Sequence, residues 1–321
     1  MDIKEKKIAF IVGKFPSISE TFIINQVADL DDEGIKVEVF SFTKGDSENI
    51  SQRFYDHKMV DRTHYLNMPE NIFARCCLAA PKIIKILFYQ PSLLLKVFDF
   101  KRYGREALSL KLLYWTEPFL GKRFDLYHCH FGQMANKFLI IKEILGIKAK
   151  VATSFYGLDV SSYTKEKGVG AYDRLKKECS AFIVMSNNMK ERVVAQGFDE
   201  DKITVLPISI KVDSYPFKTR ELKAREEVKM ISVGRFVEKK GFDDLLRALA
   251  IVKEKMTKKF ECVIVGDGPL KEEIFRLADE LKLKDVLDFR GYMKMEDVID
   301  LFMKTHFYLQ PSKTAANGDM E

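Results

Sequence analysis

The chain has 321 residues, long for one average domain and suited to two. Its 46% hydrophobic content supplies packed cores, and its 31% charged content is that of an ordinary soluble globular protein. The net charge of +6 is local: residues 71–123 hold ten Lys and Arg against three Asp and Glu, a net of +7, leaving about −1 elsewhere, which excludes a nucleic-acid binder with its charge spread along a groove.

In chain order, "MDIKEKKIAFIVG" is a charged lead and a short apolar run, expected as a first strand and not a signal peptide. No stretch approaches the roughly 18 uninterrupted apolar residues that span a bilayer. The first strand–helix turn, "FIVGKFPSISE", holds only Gly13, so it is neither a dinucleotide fingerprint nor a P-loop. "FPSISETF" reads as a helix start, with Ser17 and Glu20 spaced for a capping box.

After the strand "KVEVFSF", residues 71–123 break the rhythm with a helical stretch that is apolar on one side and basic on the other. Such a surface fits an interfacial helix attracted by anionic lipid headgroups. The plain alternative is an insertion packed on its own domain with a solvated lysine face. Next comes "DLYHCHF", where His128 and His130 are expected to face opposite ways, one in the core and one polar at the strand end, and not to share a metal. Tyr156 and Asp159, in "TSFYGLD" after the following strand, are candidates for acceptor or sugar contacts, or else stabilise their own loop.

Residues 206–227, with two prolines and a run of charges, read as a linker. The boundary is placed near 215, giving domains 1–215 and 216–321. Strands "VKMISVG", "FECVIVG", "VLDFRGY" and a buried "HFYLQPS" are expected in the second. Most strand candidates are continuous apolar runs, as in a parallel sheet covered on both faces. Phe242, Leu245, Leu246 and Leu249 follow helical spacing, as do Ile274, Leu277, Ala278 and Leu281. The alternation implies a doubly wound α/β protein. The five cysteines, Cys76, Cys77, Cys129, Cys179 and Cys262, form no CxxC pair and are expected as free buried thiols in a reducing cytosol.

In "SVGRFVEKKGFDDLL", Gly234 ends a strand, Arg235 leaves it, and Lys239 or Lys240 precedes a helix. Two cations at a helix N-terminus suit a diphosphate; the plain reading is a connection with surface lysines. "VIVGDGPLKEEI", with Gly266, carries Lys271 where the dinucleotide fingerprint needs glycine. In the closing "AANGDME", Asn317 and Gly318 signal a turn whose amides, with Asp319 and Glu321, suit sugar hydroxyls.

Together these stretches resemble the retaining GT-B glycosyltransferases of family 4, on their capsule, colanic-acid and lipopolysaccharide branch. The motifs that carry the resemblance are "FPSISETFI", "YHCHFG", "TSFYGLDVS", "LPISIKVDSY", "VGRFVEKKGFDDLL", "VGDGPL", "FRGYM" and "LQPSKTAANGDME", in that order. It implies two Rossmann-like domains facing a cleft, the first binding acceptor and the second a UDP- or GDP-sugar, with no metal and no further cofactor. By resemblance, Arg235 and Lys240 neutralise the diphosphate leaving group and Glu321 contacts the donor sugar. Gly234, Gly266 and the backbone of Tyr292 and Met293 meet the nucleotide, Gly13 lies against donor or acceptor, and Ser19, Glu20 and His130 fall on the acceptor side.

Two departures stand out. Tyr156 replaces a histidine common in relatives, and the sequence stops where a second glutamate is expected. The second domain is therefore expected to be incomplete and activity impaired. The implied function is sugar transfer to a lipid-linked or growing surface polysaccharide, in the cytoplasm or at the inner membrane face. The alternative is a truncated, non-catalytic remnant that binds a membrane or partner.

Overall fold

The computed structural model describes residues 6–45, 50–210, 212, 215–217 and 219–320. They form two compact units, Met1–Ile208 and Ser209–Glu321, dividing slightly ahead of residue 215.

The first unit begins β1 (Lys7–Phe15), α1 (Thr21–Asp32), β2 (Lys36–Lys44), α2 (Gln52–Asp56) and β3 (Thr63–Tyr65). A helical excursion follows: α3 (Ile72–Tyr89), α4 (Leu93–Val97), α5 (Phe100–Tyr103), α6 (Arg105–Leu108) and α7 (Lys111–Thr116). The chain then returns through β4 (Leu126–His130), α8 (Gly132–Leu145), β5 (Lys150–Phe155), α9 (Ser162–Lys167), α10 (Asp173–Glu178), β6 (Ala181–Val184), α11 (Asn187–Ala195) and β7 (Ile203–Val205).

These strands form one parallel sheet in the order β3-β2-β1-β4-β5-β6-β7. The buried run of β1 shows why. Ala9 and Ile11 join the core that includes Phe138 and Leu139 of α8, while Phe10 and Val12 join Ile23, Ile24 and Val27 of α1. Alternate residues serve opposite faces, so a strand covered on both sides needs an unbroken apolar sequence. β3, only three residues of mixed polarity, is the strand the sequence does not announce.

The second unit holds β8 (Val228–Val233), α12 (Phe242–Lys255), β9 (Phe260–Val265), α13 (Lys271–Glu280), β10 (Leu287–Gly291), α14 (Met295–Phe302) and β11 (Phe307–Tyr308). Its sheet is also parallel, in the order β10-β9-β8-β11. Met230, Cys262 and Ile264 face α12 and α13; Ile231, Val263 and Val265 face Val298 of α14. The expected burial of "HFYLQPS" does not hold: among the described residues β11 is an edge strand paired with β8 alone, and Phe307 and Tyr308 are exposed.

Three further expectations are corrected. Cys129, Cys179 and Cys262 are buried, but Cys76 and Cys77 are exposed on α3. Ser17 and Glu20 form no capping box: Ser17 opens a 3-10 turn over Ile18–Glu20, its hydroxyl lies 3.2 Å from that of Ser19, and α1 starts one residue after Glu20. The solvated lysine face is met only in part: Lys96 and Lys101 are exposed, whereas the lysines of α3, Lys82 and Lys85, reach Glu117 at 2.6 and 2.5 Å. Against the upward push of burial, these ammonium groups hold the Glu117 carboxyl below its usual range.

Removing the carboxylate strands two partly buried cations. Glu117→Ala is expected to lower the unfolding free energy by about 2–3 kcal/mol, read as a urea-midpoint shift at unchanged slope, whereas Glu117→Gln should lose less.

Candidate functional site

In open parallel sheets ligands gather outside the carboxyl ends of the strands, where the strand order reverses. In the second unit the reversal falls between β8 and β11, and in the first between β1 and β4.

Backbone hydrogen bonds knit the strand-end loops of the second unit together. Gly234 N donates to Val265 O, Phe236 N to Asp267 O, Leu270 N to Phe236 O, and Gly266 N to Gly291 O. Glycine at 266 is steric necessity, since a Cβ there would sit 1.9 Å from the Gly234 carbonyl oxygen. Arg235 emerges from this weave exposed, and its side chain has no hydrogen-bond or ion-pair partner among the described residues. The stem of Lys240 lies over Gly234, its Cδ 3.4 Å from where a Cβ would be.

The chain then enters α12 through Gly241, whose φ of +65° and whose 1.9 Å approach of a hypothetical Cβ to Pro311 O leave room for no side chain. That approach seats the 311–320 segment on the β8–α12 turn. Lys313 N donates to Lys239 O and Ala316 N to Glu238 Oε1, while Lys239 Nζ pairs with Asp319 at 3.3 Å. Asn317 Oδ1 accepts from Asp319 N, and Gly318 N donates to Ala315 O.

Asp243 and Asp244, in the first turn of α12, would repel an anion at the helix mouth. Lys313 binds both, at 2.6 and 3.0 Å, and against the upward push of burial holds Asp243 below its ordinary pKa. Tyr292 lies exposed after β10, and Met293 packs partly buried beneath. Glu321 lies outside the described residues. A cavity of ≈ 370 Å³ between the starts of α12 and α13 is lined by Phe242, Leu270, Ile274 and Lys313 among others; neither Arg235 nor Lys240 reaches it.

In the first unit a polar cluster sits at the ends of β1, β4 and β5. His130 is fully buried, its Nδ1 2.8 Å from the Tyr156 hydroxyl, and half-buried His128 has Nε2 2.7 Å from Ser154 Oγ. The two histidines do not face opposite ways. Residues two apart share a strand face, and their rings stack at 4.5 Å. Removal from water holds His128 down at about 4, and burial with His128 alongside holds His130 well below its usual value, so both rings are neutral. Among the described residues no group of three or more His, Cys, Asp or Glu side chains is placed to hold a metal ion.

Tyr156 packs against Phe22 and Phe131, and burial pushes its hydroxyl pKa up. Asp159 accepts from the amides of Gly132, Tyr156 and Gly157; burial pushes its pKa up to about 6 against those three bonds. Both of its oxygens are thus engaged in holding the loop. Glu20 reaches about 7 through burial, and its Oε2, like Gln26 Oε1 and His130 Nε2, is buried without a hydrogen-bond partner among the described residues. Ser19 is exposed, and a Cβ on Gly13 would meet the Met134 side chain at ordinary distances, its Sδ nearest at 3.5 Å. The chain's own packing therefore does not require glycine at 13.

Gln26, Ser154, Glu238 and Lys313 are site residues that sequence reading passes over. Each is a common polar residue, three of them within the quoted motifs, and only the fold shows which partner it meets.

Two parallel α/β units, each with its strand-end loops converging at a reversal of strand order, are the parts from which GT-B glycosyltransferases are built. Residues 216–318 match the family described as glycosyl transferases group 1. The chain is 30% identical over 327 aligned residues to the putative colanic acid biosynthesis glycosyltransferase WcaL of Escherichia coli, covering 98% of this chain and 77% of WcaL. It is 29% identical, with the same coverage, to the amylovoran biosynthesis glycosyltransferase AmsK of Erwinia amylovora. HepE of Anabaena, solved with UDP and glucose, superposes with a TM-score of 0.64 over 97% of this chain and 75% of its own, at 14% identity. The chain belongs to the group 1 glycosyl transferases and is a glycosyltransferase.

Glu20 makes a signed pH test. Its folded pKa of about 7 exceeds the ordinary 4.5, so its contribution is complete below about 4.5 and is lost as pH rises through 7. Glu20→Gln is expected to be more stable than the parent above about pH 8, by roughly 3 kcal/mol at most. Below the ordinary carboxyl pKa the two should melt together.

Proposed function

We propose that this enzyme moves a sugar from a UDP- or GDP-sugar to a lipid-linked or growing exopolysaccharide, with retention at the anomeric carbon. The observation that carries the reading is the exposed guanidinium of Arg235, beside Lys240 stretched over Gly234, at the reversal between β8 and β11. As the sugar leaves, charge grows on the diphosphate, and donors preset where charge develops lower the barrier most. Capture of Asp243 and Asp244 by Lys313 supports this, because it offsets the negative charge at the same helix mouth.

In this reading the second unit takes the donor. Gly266 and the backbone at Tyr292 and Met293 border the nucleotide, and the 317–319 turn borders the sugar. Glu321 would follow that turn. The first unit takes the acceptor on the side of the Glu20, Gln26 and His130 cluster, with Gly13 and the exposed Ser19 at the rim. Tyr156 donates a hydrogen bond and does not act as a base, since burial raises its pKa. The bond from the anomeric carbon to the phosphate oxygen breaks, the acceptor oxygen bonds on the same face, and its proton passes to the departing phosphate. The exopolysaccharide assignment is supported by the names of WcaL and AmsK, and the uridine option by HepE, solved with UDP.

Arg235→Ala and Lys240→Ala are each expected to lower turnover by about 100-fold. Calorimetry should show weakened UDP or GDP binding while the melting temperature stays put. Unchanged binding in both variants would sink the assignment.

A further inference from the structure

Surface helices ordinarily turn charge outward and apolar residues inward. α3 does the reverse. Its cations are engaged by the fold: Arg75 donates to the carbonyls of Pro69, Glu70 and Ser109, and Lys82 and Lys85 hold Glu117, which is 8% exposed. Its outward residues are apolar, with Phe73 77%, Ile84 65% and Phe88 84% exposed, joined by Leu87 and Cys77. The helix has 18 residues, a stripe about 27 Å long. An exposed apolar strip of that length marks a contact surface.

The charge around the stripe narrows what covers it. Lys96, Lys101 and Arg105, in the short helices that follow, are exposed and have no ion-pair partner among the described residues. Of the acids of the same region, Glu106 pairs with Lys111 and Glu117 holds the two lysines, while Asp99 accepts from the Arg102 amide and keeps its charge, leaving the cations in excess. The helical excursion therefore carries exposed hydrocarbon on α3 and unpaired, exposed cations in the helices that follow it. Among the described residues no helix is long and apolar enough to cross a membrane.

We propose that α3 lies flat in the interface of an anionic lipid bilayer, Phe73, Ile84 and Phe88 entering the acyl boundary while Lys96, Lys101 and Arg105 meet the headgroups. Apolar burial supplies the depth of such a contact, and the cations supply attraction to anionic lipid. The Lys82–Glu117–Lys85 cluster gives the helix its orientation, because satisfying those charges internally turns the apolar face out. This inference does not depend on which sugar or acceptor the enzyme uses.

Flotation of the whole chain on phosphatidylcholine vesicles, with and without phosphatidylglycerol, tests it. The parent chain is expected to float with the anionic vesicles and far less with neutral ones. Phe88→Glu should cut the bound fraction about tenfold or more, and Lys101→Glu by about fivefold or more. Both positions are exposed, so melting curves should match the parent. Labelling Cys76 and Cys77, the exposed thiols, with an environment-sensitive dye should give a blue shift on anionic vesicles. Absence of flotation overturns the proposal, as does binding indifferent to Phe88→Glu. A dye that stays aqueous while Lys101→Glu abolishes binding means a purely electrostatic contact and overturns insertion. A dimer in solution that Phe88→Glu converts to monomer assigns the face to a second copy instead.

Discussion

The candidate donor site depends on one close approach, the Gly266 backbone against the Gly234 carbonyl. Because neither residue carries a side chain, the turns after β8 and β9 close onto each other through backbone bonds alone. Arg235 then leaves the weave in a fixed direction, the stem of Lys240 can lie over Gly234, and the 311–320 segment finds the Gly241 turn flat enough to rest on. A methyl group at 266 would push the two strand ends apart and move every one of these groups.

Charge is handled differently in the two units. In the second, ionised groups meet ionised groups: Lys313 takes both aspartates of the α12 mouth, and Lys239 takes Asp319. The groups stay partly solvated and charged, as phosphate chemistry needs. In the strand-end cluster of the first unit, burial neutralises them. His128 and His130 lose their protons to desolvation, and Glu20 keeps one up to about pH 7. Neutral donors and acceptors suit hydroxyl groups, which bring no charge to balance.

The helical excursion obeys the same rule from the other side. Glu117, held among Trp115, Phe119 and Leu120 of its own chain segment, is too buried to go unpaired, and α3 supplies both of its partners. An unpaired buried carboxylate costs several kcal/mol, which fixes the side of α3 that faces Glu117 even though apolar side chains are left exposed on the other.

Much of the architecture was legible in the residues themselves. Unbroken apolar runs such as "KIAFIV" and "FECVIV" suit a sheet covered on both faces, and the Asn317-Gly318 pair signals a turn. Where one residue's chemistry depends on a distant one, the sequence was silent or misleading. β3 has too few residues for a pattern, β11 is apolar yet lies at an edge, and the outward face of α3 depends on Glu117, more than thirty positions away. The stacked histidines had a legible spacing that was read against the two-residue period of a strand. Local pattern determined strand, helix and turn, because those follow from neighbours along the chain. Only the tertiary structure decided which charges are paired, which are silenced by burial and which face water, because that is set by what the fold brings alongside.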